Sequence, residues 1–139
     1  MAETPTPAPA PVRDGPGRRW FWAGLFAATI FLASSRSRVA APDITHSDKY
    51  GHFLIYGLLG TLICRTGHGW RAGLLGLIAA SLYGVSDEWH QSFVPGRSCE
   101  VWDWVADTSG AALAISLYLG VAWYRRLLEA TLWSRRKPA

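Results

Sequence analysis

The chain has 139 residues, of which 50% are hydrophobic and 17% are charged, and its formal net charge is +4. This length predicts one domain. Soluble domains carry about 25% charged residues, and here the few charges are also unevenly placed, which excludes an ordinary soluble globule, a nucleic-acid binder built on basic helices and a small disulfide-stabilised secreted protein.

Four segments contain no Asp, Glu, Lys or Arg: residues 20–35, 50–64, 72–86 and 108–124. Each is apolar around its whole circumference, with neither a polar helical face nor the alternation of a strand. A chain of this size cannot bury four such helices completely. The sequence therefore predicts an all-α fold, a four-helix transmembrane bundle with short loops, over residues 20–133. Burial in a soluble bundle remains the alternative, because the segments are short.

The two ends of the chain differ from this central part. Residues 1–19 are rich in Pro and Ala and predict a disordered cytoplasmic tail; residues 134–139 form a basic tail. Arg18-Arg19 before the first apolar segment also fits a signal peptide, but no convincing cleavage site follows. Ten basic residues fall on the side of both termini and four on the other, which predicts cytoplasmic termini.

The uncharged segments are too short for a bilayer. Fifteen helical residues span about 22 Å, whereas the hydrocarbon core is about 30 Å thick. The second and third helices must therefore continue into polar sequence. The candidate extensions are residues 46–50, 87–91 and 103–107.

These extensions and the helical turns next to them carry polar residues at four-residue spacing, so that the side chains share one face on each helix. We call this set of residues the polar cluster. Its members are Asp48, Lys49, His52, Tyr56, Asp87, Glu88, Gln91, Asp103 and Asp107. Ionisable residues within spans usually face the bundle interior and mark a functional site, although an interfacial network that only fixes helix packing is the alternative.

A turn at Val94-Pro95-Gly96-Arg97 is predicted to fold Arg97 back over the polar cluster. Arg97 and Lys49 then hold a phosphate or amide, while a histidine or carboxyl acts as general acid or base. The candidate catalytic residues are His52, Asp87 and Glu88. The candidate substrate-binding residues are Asp48, Lys49, Tyr56, Gln91, Arg97, Asp103 and Asp107. No nucleophile motif is present, so enzymatic turnover stays open.

The charge of this region requires compensation, because five carboxylates face only Lys49 and Arg97 when His52 is neutral. Protonated carboxyls, exposure to water or a bound cation would each relieve the excess. Glu88, His90, His52 and a further Asp offer oxygen and nitrogen ligands. Neither an HExxH motif nor a Cys/His spacing is present, so the sequence predicts no metal site and no cofactor.

The polar residues fall into three blocks, Asp48-Lys49-x-x-His52-x-x-x-Tyr56, Asp87-Glu88-x-x-Gln91-x-Phe93-x-Pro95-Gly96-Arg97 and Asp103-x-x-x-Asp107-x-x-Gly110. In sequence and in order these blocks resemble the VanZ-like family of small polytopic bacterial membrane proteins. Asp107 stands where Asn is commoner in the family, which makes this site more acidic. The resemblance implies a multi-pass protein of the bacterial inner membrane, whose namesake is associated with resistance to teicoplanin-type glycopeptide antibiotics.

Together these features predict an outward-facing polar site that binds or processes a lipid or cell-envelope precursor. The expected partners are membrane lipids and a lipid-linked or cell-wall precursor or glycopeptide, and not nucleic acid. One alternative is a proton- or cation-coupled transporter, which with four spans would have to be a homo-oligomer. The other is a structural accessory subunit of envelope machinery.

Overall fold

The computed structural model describes residues 15–37 and 47–129, and these ranges are entirely helical apart from their turns. The helices are α1 (Pro16–Ser34), α2 (Ser47–Cys64), α3 (Gly69–Gln91), α4 (Val101–Gly120) and α5 (Ala122–Glu129). The predicted all-α class is therefore confirmed for the described part of the chain. The predicted tail at 134–139 lies outside the described residues, as do residues 1–14 of the predicted N-terminal tail.

The helices extend into polar sequence as their lengths required. Helix α2 begins at Ser47, three residues before its uncharged segment, and α3 continues to Gln91, five residues beyond its own. Helix α4 begins at Val101, and Asp103 lies in its first turn. At the other end of the molecule α1 begins at Pro16, a residue suited to the first turn of a helix because its missing N–H has no partner there.

The fourth uncharged segment is not one continuous helix. Val121 adopts an extended conformation (φ −108°, ψ 106°) and separates α4 from α5. Measured by length and mean hydropathy, none of the described helices qualifies alone as a membrane span; α4 and α5 qualify only as a pair, and that pair is bent by 98°.

Glycines allow the central helices to approach closely, and α4 packs most extensively on α2. A Cβ at Gly57 would lie 3.1 Å from the carbonyl oxygen of Gly110, and a Cβ at Gly110 would collide with the backbone of Phe53. On the adjoining side, a Cβ at Gly76 would lie 3.0 Å from the carbonyl oxygen of Gly60. Small residues at these crossings bring the backbones, and the polar side chains beside them, into contact.

The interior of the described part combines an apolar core, which includes Ile30, Leu59 and Ile115, with an unusual number of buried polar side chains, and much of the exterior is apolar. The buried polar side chains are those of Ser34, Thr61, Asp87, Glu88, Gln91, Asp103 and Asp107. Exposed large apolar side chains occur on α1 to α4, among them Trp20, Phe21, Leu32, Leu54, Leu75 and Leu82. Apolar surface of this extent marks a contact with a membrane or with another protein.

At the end of the bundle opposite the polar cluster, the carboxylate of Glu129 connects several helices through hydrogen bonds. Glu129 of α5 accepts hydrogen bonds from Arg19 (2.7 Å), Arg65 (3.4 Å) and the Tyr118 hydroxyl (2.6 Å). These contacts join α1, α2, α4 and α5, and they hold α5 across the end of the bundle. Burial alone would raise the pKa of Glu129, but the Tyr118 hydrogen bond and the two arginines lower it below its ordinary value.

Replacing Gly110 with alanine should destabilise the fold by about 2 kcal/mol or more, because the added Cβ overlaps backbone atoms of Phe53 that cannot move independently of α2. Thermal unfolding in detergent measures the change. The matched control is Gly24→Ala on α1, where a Cβ meets nothing within 4 Å. Equal melting temperatures for the two variants would contradict the close α2–α4 crossing.

Replacing Glu129 with glutamine should cost about 1 to 3 kcal/mol at pH 7, because the charge-assisted bonds to Arg19 and Arg65 are lost. The carboxylate has a lower pKa in the folded than in the unfolded chain, so its contribution is complete above about pH 4.3 and is lost as the pH falls through the folded-state value. Melting curves of both proteins from pH 7 to pH 3 should therefore converge at the acidic end. A gap that stays constant with pH would contradict the assignment.

Candidate polar site

The polar cluster assembles where α1 and α3 end and α2 and α4 begin. Its four described carboxylates are almost fully buried, with exposed fractions of 4% for Asp87 and Glu88, 3% for Asp103 and 0% for Asp107. Asp48 falls outside the residues whose side chains the structure describes. Every other predicted member of the polar cluster contributes to the hydrogen bonds at this end of the bundle.

Asp87 is the centre of one half of the polar cluster. Its Oδ2 accepts hydrogen bonds from the Ser34 hydroxyl (2.9 Å), the Tyr56 hydroxyl (3.1 Å) and the Gln91 amide (3.0 Å). Three donors from three helices converge on this one oxygen, so that Asp87 connects α1, α2 and α3. Gln91 in turn accepts a hydrogen bond of 2.9 Å from Arg97, so the arginine reaches Asp87 through the amide.

His52 is the centre of the other half and lies between two carboxylates of α4. Its Nδ1 is 2.9 Å from Asp107 Oδ1, and its Nε2 is 3.9 Å from Asp103 Oδ2. Lys49, one turn earlier on α2, donates to Asp103 at 2.8 Å and to Glu100 at 2.9 Å. A histidine oriented by a carboxylate in this way can accept or donate a proton at its other ring nitrogen.

The loop between α3 and α4 is anchored to the polar cluster at two points. The backbone N–H of Glu100 donates to Glu88 Oε2 at 2.8 Å. The predicted turn is confirmed: Arg97 N donates to the carbonyl of Val94, Pro95 supplies a fixed φ, and Gly96 adopts a φ of +80° that favours glycine. This turn directs Arg97 back onto Gln91.

Four buried side-chain atoms among the described residues have no hydrogen-bond partner, and all four lie in or next to the polar cluster. They are Asp87 Oδ1, Glu88 Oε1, Asp107 Oδ2 and Arg97 Nε. Buried polar atoms in folded proteins are nearly always paired, and leaving one unpaired costs about 1 to 3 kcal/mol. The unpaired atoms of the described residues are thus concentrated at this end of the bundle, where a polar ligand or ordered water would satisfy them.

An apolar cavity of about 400 Å³ lies between α1 and the C-terminal part of α3, next to the polar cluster, and we call it the groove. Its lining comprises Phe31, Tyr83, Ser86, Asp87, Trp89, His90 and Phe93. The His90 ring stacks on Phe31 with centroids 4.5 Å apart, and its Nε2 is 3.0 Å from the Ser35 hydroxyl. His90, a candidate ligand on sequence grounds, therefore lies on the wall of the groove, whereas His52 lies against the carboxylates of α4.

Sequence reasoning missed two contributors to this site. Ser34 is the last residue of α1 and belongs to an uncharged segment, so nothing in its spacing links it to Asp87. Glu100 precedes α4 and acts through its backbone N–H as well as its carboxylate. The only sequence signal for either is a polar residue at the border of an apolar segment.

Replacing Tyr56 with phenylalanine should destabilise the protein by about 1 to 3 kcal/mol, because a buried hydroxyl that donates to a carboxylate is removed. The matched control is Tyr50→Phe on the same helix, where the side chain is 71% exposed. Thermal unfolding of the two variants at pH 7 measures the difference. A loss of stability equal to that of the control would contradict the role of Asp87 as the centre of its half of the polar cluster.

One protein-family model matches the chain. This model, described as VanZ/LLP1, matches residues 18–124, which include most of α1, all of α2 to α4 and the described residues of the polar cluster. Curated proteins and solved structures give no significant match. The matched region covers most of the sequence, and the chain belongs to the VanZ/LLP1 family.

Proposed function

We propose that the protein is a multi-pass protein of the bacterial inner membrane, with both termini cytoplasmic, whose polar cluster lies at the outer headgroup level and binds a lipid or lipid-linked cell-envelope precursor. The large apolar side chains exposed on α1 to α4 and the ionisable side chains buried between these helices support the membrane part of this proposal. The excess of basic residues on the side of the termini supports the orientation.

The observation that carries the ligand proposal is that Asp87 belongs to both the groove and the polar cluster. A single amphiphilic molecule can therefore place its chain against Phe31, Trp89 and Phe93 while its headgroup reaches the buried polar atoms. Apolar cavities with a few convergent polar groups are the usual form of small-molecule sites. A free polar metabolite would leave the aromatic wall of the groove unused.

The chemistry of the site restricts the headgroup. Arg97 Nε offers a buried donor for a phosphate or amide oxygen, whereas the unpaired Asp87 Oδ1 accepts from hydroxyl or amide donors. Should the ligand be processed, His52 is the residue oriented for proton transfer, with Asp107 holding its ring. An association with glycopeptide resistance would then act through the precursor held at this site.

The polar residues deeper in the bundle favour a one-sided site over a transport path. Thr61 donates to the carbonyl of Gly57 and Ser116 to that of Ala112, so both bond to their own helices. Ser81 and Thr108 bond to one another at 2.9 Å. A conduit would instead need polar groups facing a common path from the polar cluster to the opposite end.

The test is binding of a lipid-linked cell-wall precursor to the purified protein in nanodiscs. Arg97→Ala should weaken binding by about tenfold or more, because the buried donor is lost. Arg126→Ala, the same substitution at an exposed arginine of α5, is the control and should leave binding unchanged.

Two further outcomes separate the alternatives. No saturable binding of any lipid-linked precursor or phospholipid, with the protein folded, would contradict the proposed function. Proton- or cation-dependent flux in proteoliposomes that Asp87→Asn abolishes would favour the transporter instead.

A further inference from the structure

Three side chains from three different helices meet at the centre of the polar cluster. His52 of α2, Glu88 of α3 and Asp107 of α4 each bring one ligand atom to within 4.8 Å of the other two. Three ligands that share one metal ion, bonded at about 2.0 to 2.2 Å, lie about 3.3 to 3.8 Å from one another. Side-chain movements of about 1 Å therefore suffice for all three to share an ion. We propose that His52, Glu88 and Asp107 bind a divalent transition-metal ion.

The hydrogen bonds of the two carboxylates support this site independently of the clustering. Asp107 uses Oδ1 for His52, and Glu88 uses Oε2 for the backbone N–H of Glu100. The remaining oxygen of each, Asp107 Oδ2 and Glu88 Oε1, is buried and has no partner. Glu88 is thus anchored at one oxygen by an outer contact and presents the other, as metal-binding carboxylates do. In Asp107 the bonded oxygen contacts His52, so this bond holds two of the proposed ligands next to one another.

Gly84 of α3 keeps space beside one of these oxygens. A Cβ at position 84 would lie 2.8 Å from Asp107 Oδ2, closer than real Cβ contacts come. Any larger residue at this position would therefore press on the oxygen that faces the proposed ion. The absence of a side chain at position 84 is explained by this contact.

The charge of the site also matches a divalent ion. Asp87, Glu88, Asp103 and Asp107 bring four negative charges into the interior. Lys49 and Arg97, which contact Asp103 and Gln91, supply two positive charges. With His52 neutral, two negative charges remain among the buried groups, or three when Glu100, which shares Lys49 with Asp103, is included. Buried uncompensated charge is very costly, and one divalent cation removes most or all of this excess.

The donor set indicates the class of metal. An imidazole nitrogen with two carboxylate oxygens suits Zn²⁺, Mn²⁺ and similar ions, whereas Mg²⁺ and Ca²⁺ prefer sites made only of oxygen. Three protein ligands leave at least one coordination position for water or for a ligand. The sequence offers His52, Glu88 and a further Asp as possible ligands but shows no metal-binding spacing, because these ligands come from three separate helices.

The test uses the full chain, purified in detergent, treated with a chelator and dialysed against Zn²⁺, Mn²⁺ or Mg²⁺. Elemental analysis should give about one Zn²⁺ or Mn²⁺ per chain and markedly less Mg²⁺, and the bound ion should raise the melting temperature. Because these measurements use the metal alone, their outcome does not depend on whether a lipid precursor binds.

Glu88→Gln and Asp107→Asn should each weaken metal binding by about tenfold or more, since each removes a charged ligand. Gly84→Ala should also weaken it while leaving all three ligands in place. Glu129→Gln, the same change of charge at the other end of the bundle, is the control. Wild-type protein that binds no ion above background, or that binds Mg²⁺ as tightly as Zn²⁺, would overturn the proposal; so would affinities in Glu88→Gln and Asp107→Asn equal to that of the control.

Discussion

The structure depends on the burial of four carboxylates at one end of a small helical bundle. Buried carboxylates are tolerated only when donors or cations surround them. Here the donors come from every side: Ser34 from α1, Tyr56 and Lys49 from α2, and Gln91 from α3. Each of these helices therefore has to place its donor side chain at the same height in the bundle as the carboxylate that the donor contacts.

Close helix packing follows from that constraint, because short side chains have to meet across the interior. Gly57 and Gly110 let α2 and α4 approach until His52 contacts Asp107. Gly84 does the same for α3, which passes directly over the Asp107 carboxylate. At the other end a single carboxylate, Glu129, has its charge balanced by Arg19 and Arg65. The two ends differ because both carboxylate oxygens of Glu129 accept hydrogen bonds, whereas the polar cluster retains buried atoms without a hydrogen-bond partner.

Much of this arrangement could be predicted from the sequence. The helical class and the extension of α2, α3 and α4 into polar residues followed from the lengths of the uncharged segments. The residues of the polar cluster followed from their four-residue spacing. The pairing of donors and acceptors did not follow, because spacing within a helix says nothing about which helix lies opposite. Ser34 and the metal-ligand trio of His52, Glu88 and Asp107 are defined only across helices.

The sequence did not predict the break between α4 and α5 at Val121, and the reason is a different one. Nothing in the uncharged segment 108–124 marks an end of a helix apart from Gly120, and glycines recur along α2 and α3 without interrupting them. The bend is fixed instead by long-range contacts of α5, in which Glu129 reaches the arginines of α1 and α2. The bend therefore depends on residues that are far apart in the sequence and meet only in the folded chain.

The proposed ligand and the proposed metal concern the same physical feature, a buried site whose polar atoms are oriented but incompletely paired. The groove supplies an apolar approach to that site through Asp87, and the trio supplies a place for a cation behind it. Both proposals require the polar cluster to be more than a lock between helices. A network that served only packing would be expected to satisfy all of its own members.

An experimental structure of the protein in lipid, at a resolution that resolves ordered ions and headgroups, tests this central claim most directly. We expect density in contact with Asp107 Oδ2 and Glu88 Oε1, with His52 beside it. Glu88 should keep its hydrogen bond from the backbone N–H of Glu100. Carboxylates that instead pair with one another or with Arg97, enclosing no density, would contradict it and would reduce the polar cluster to a structural element.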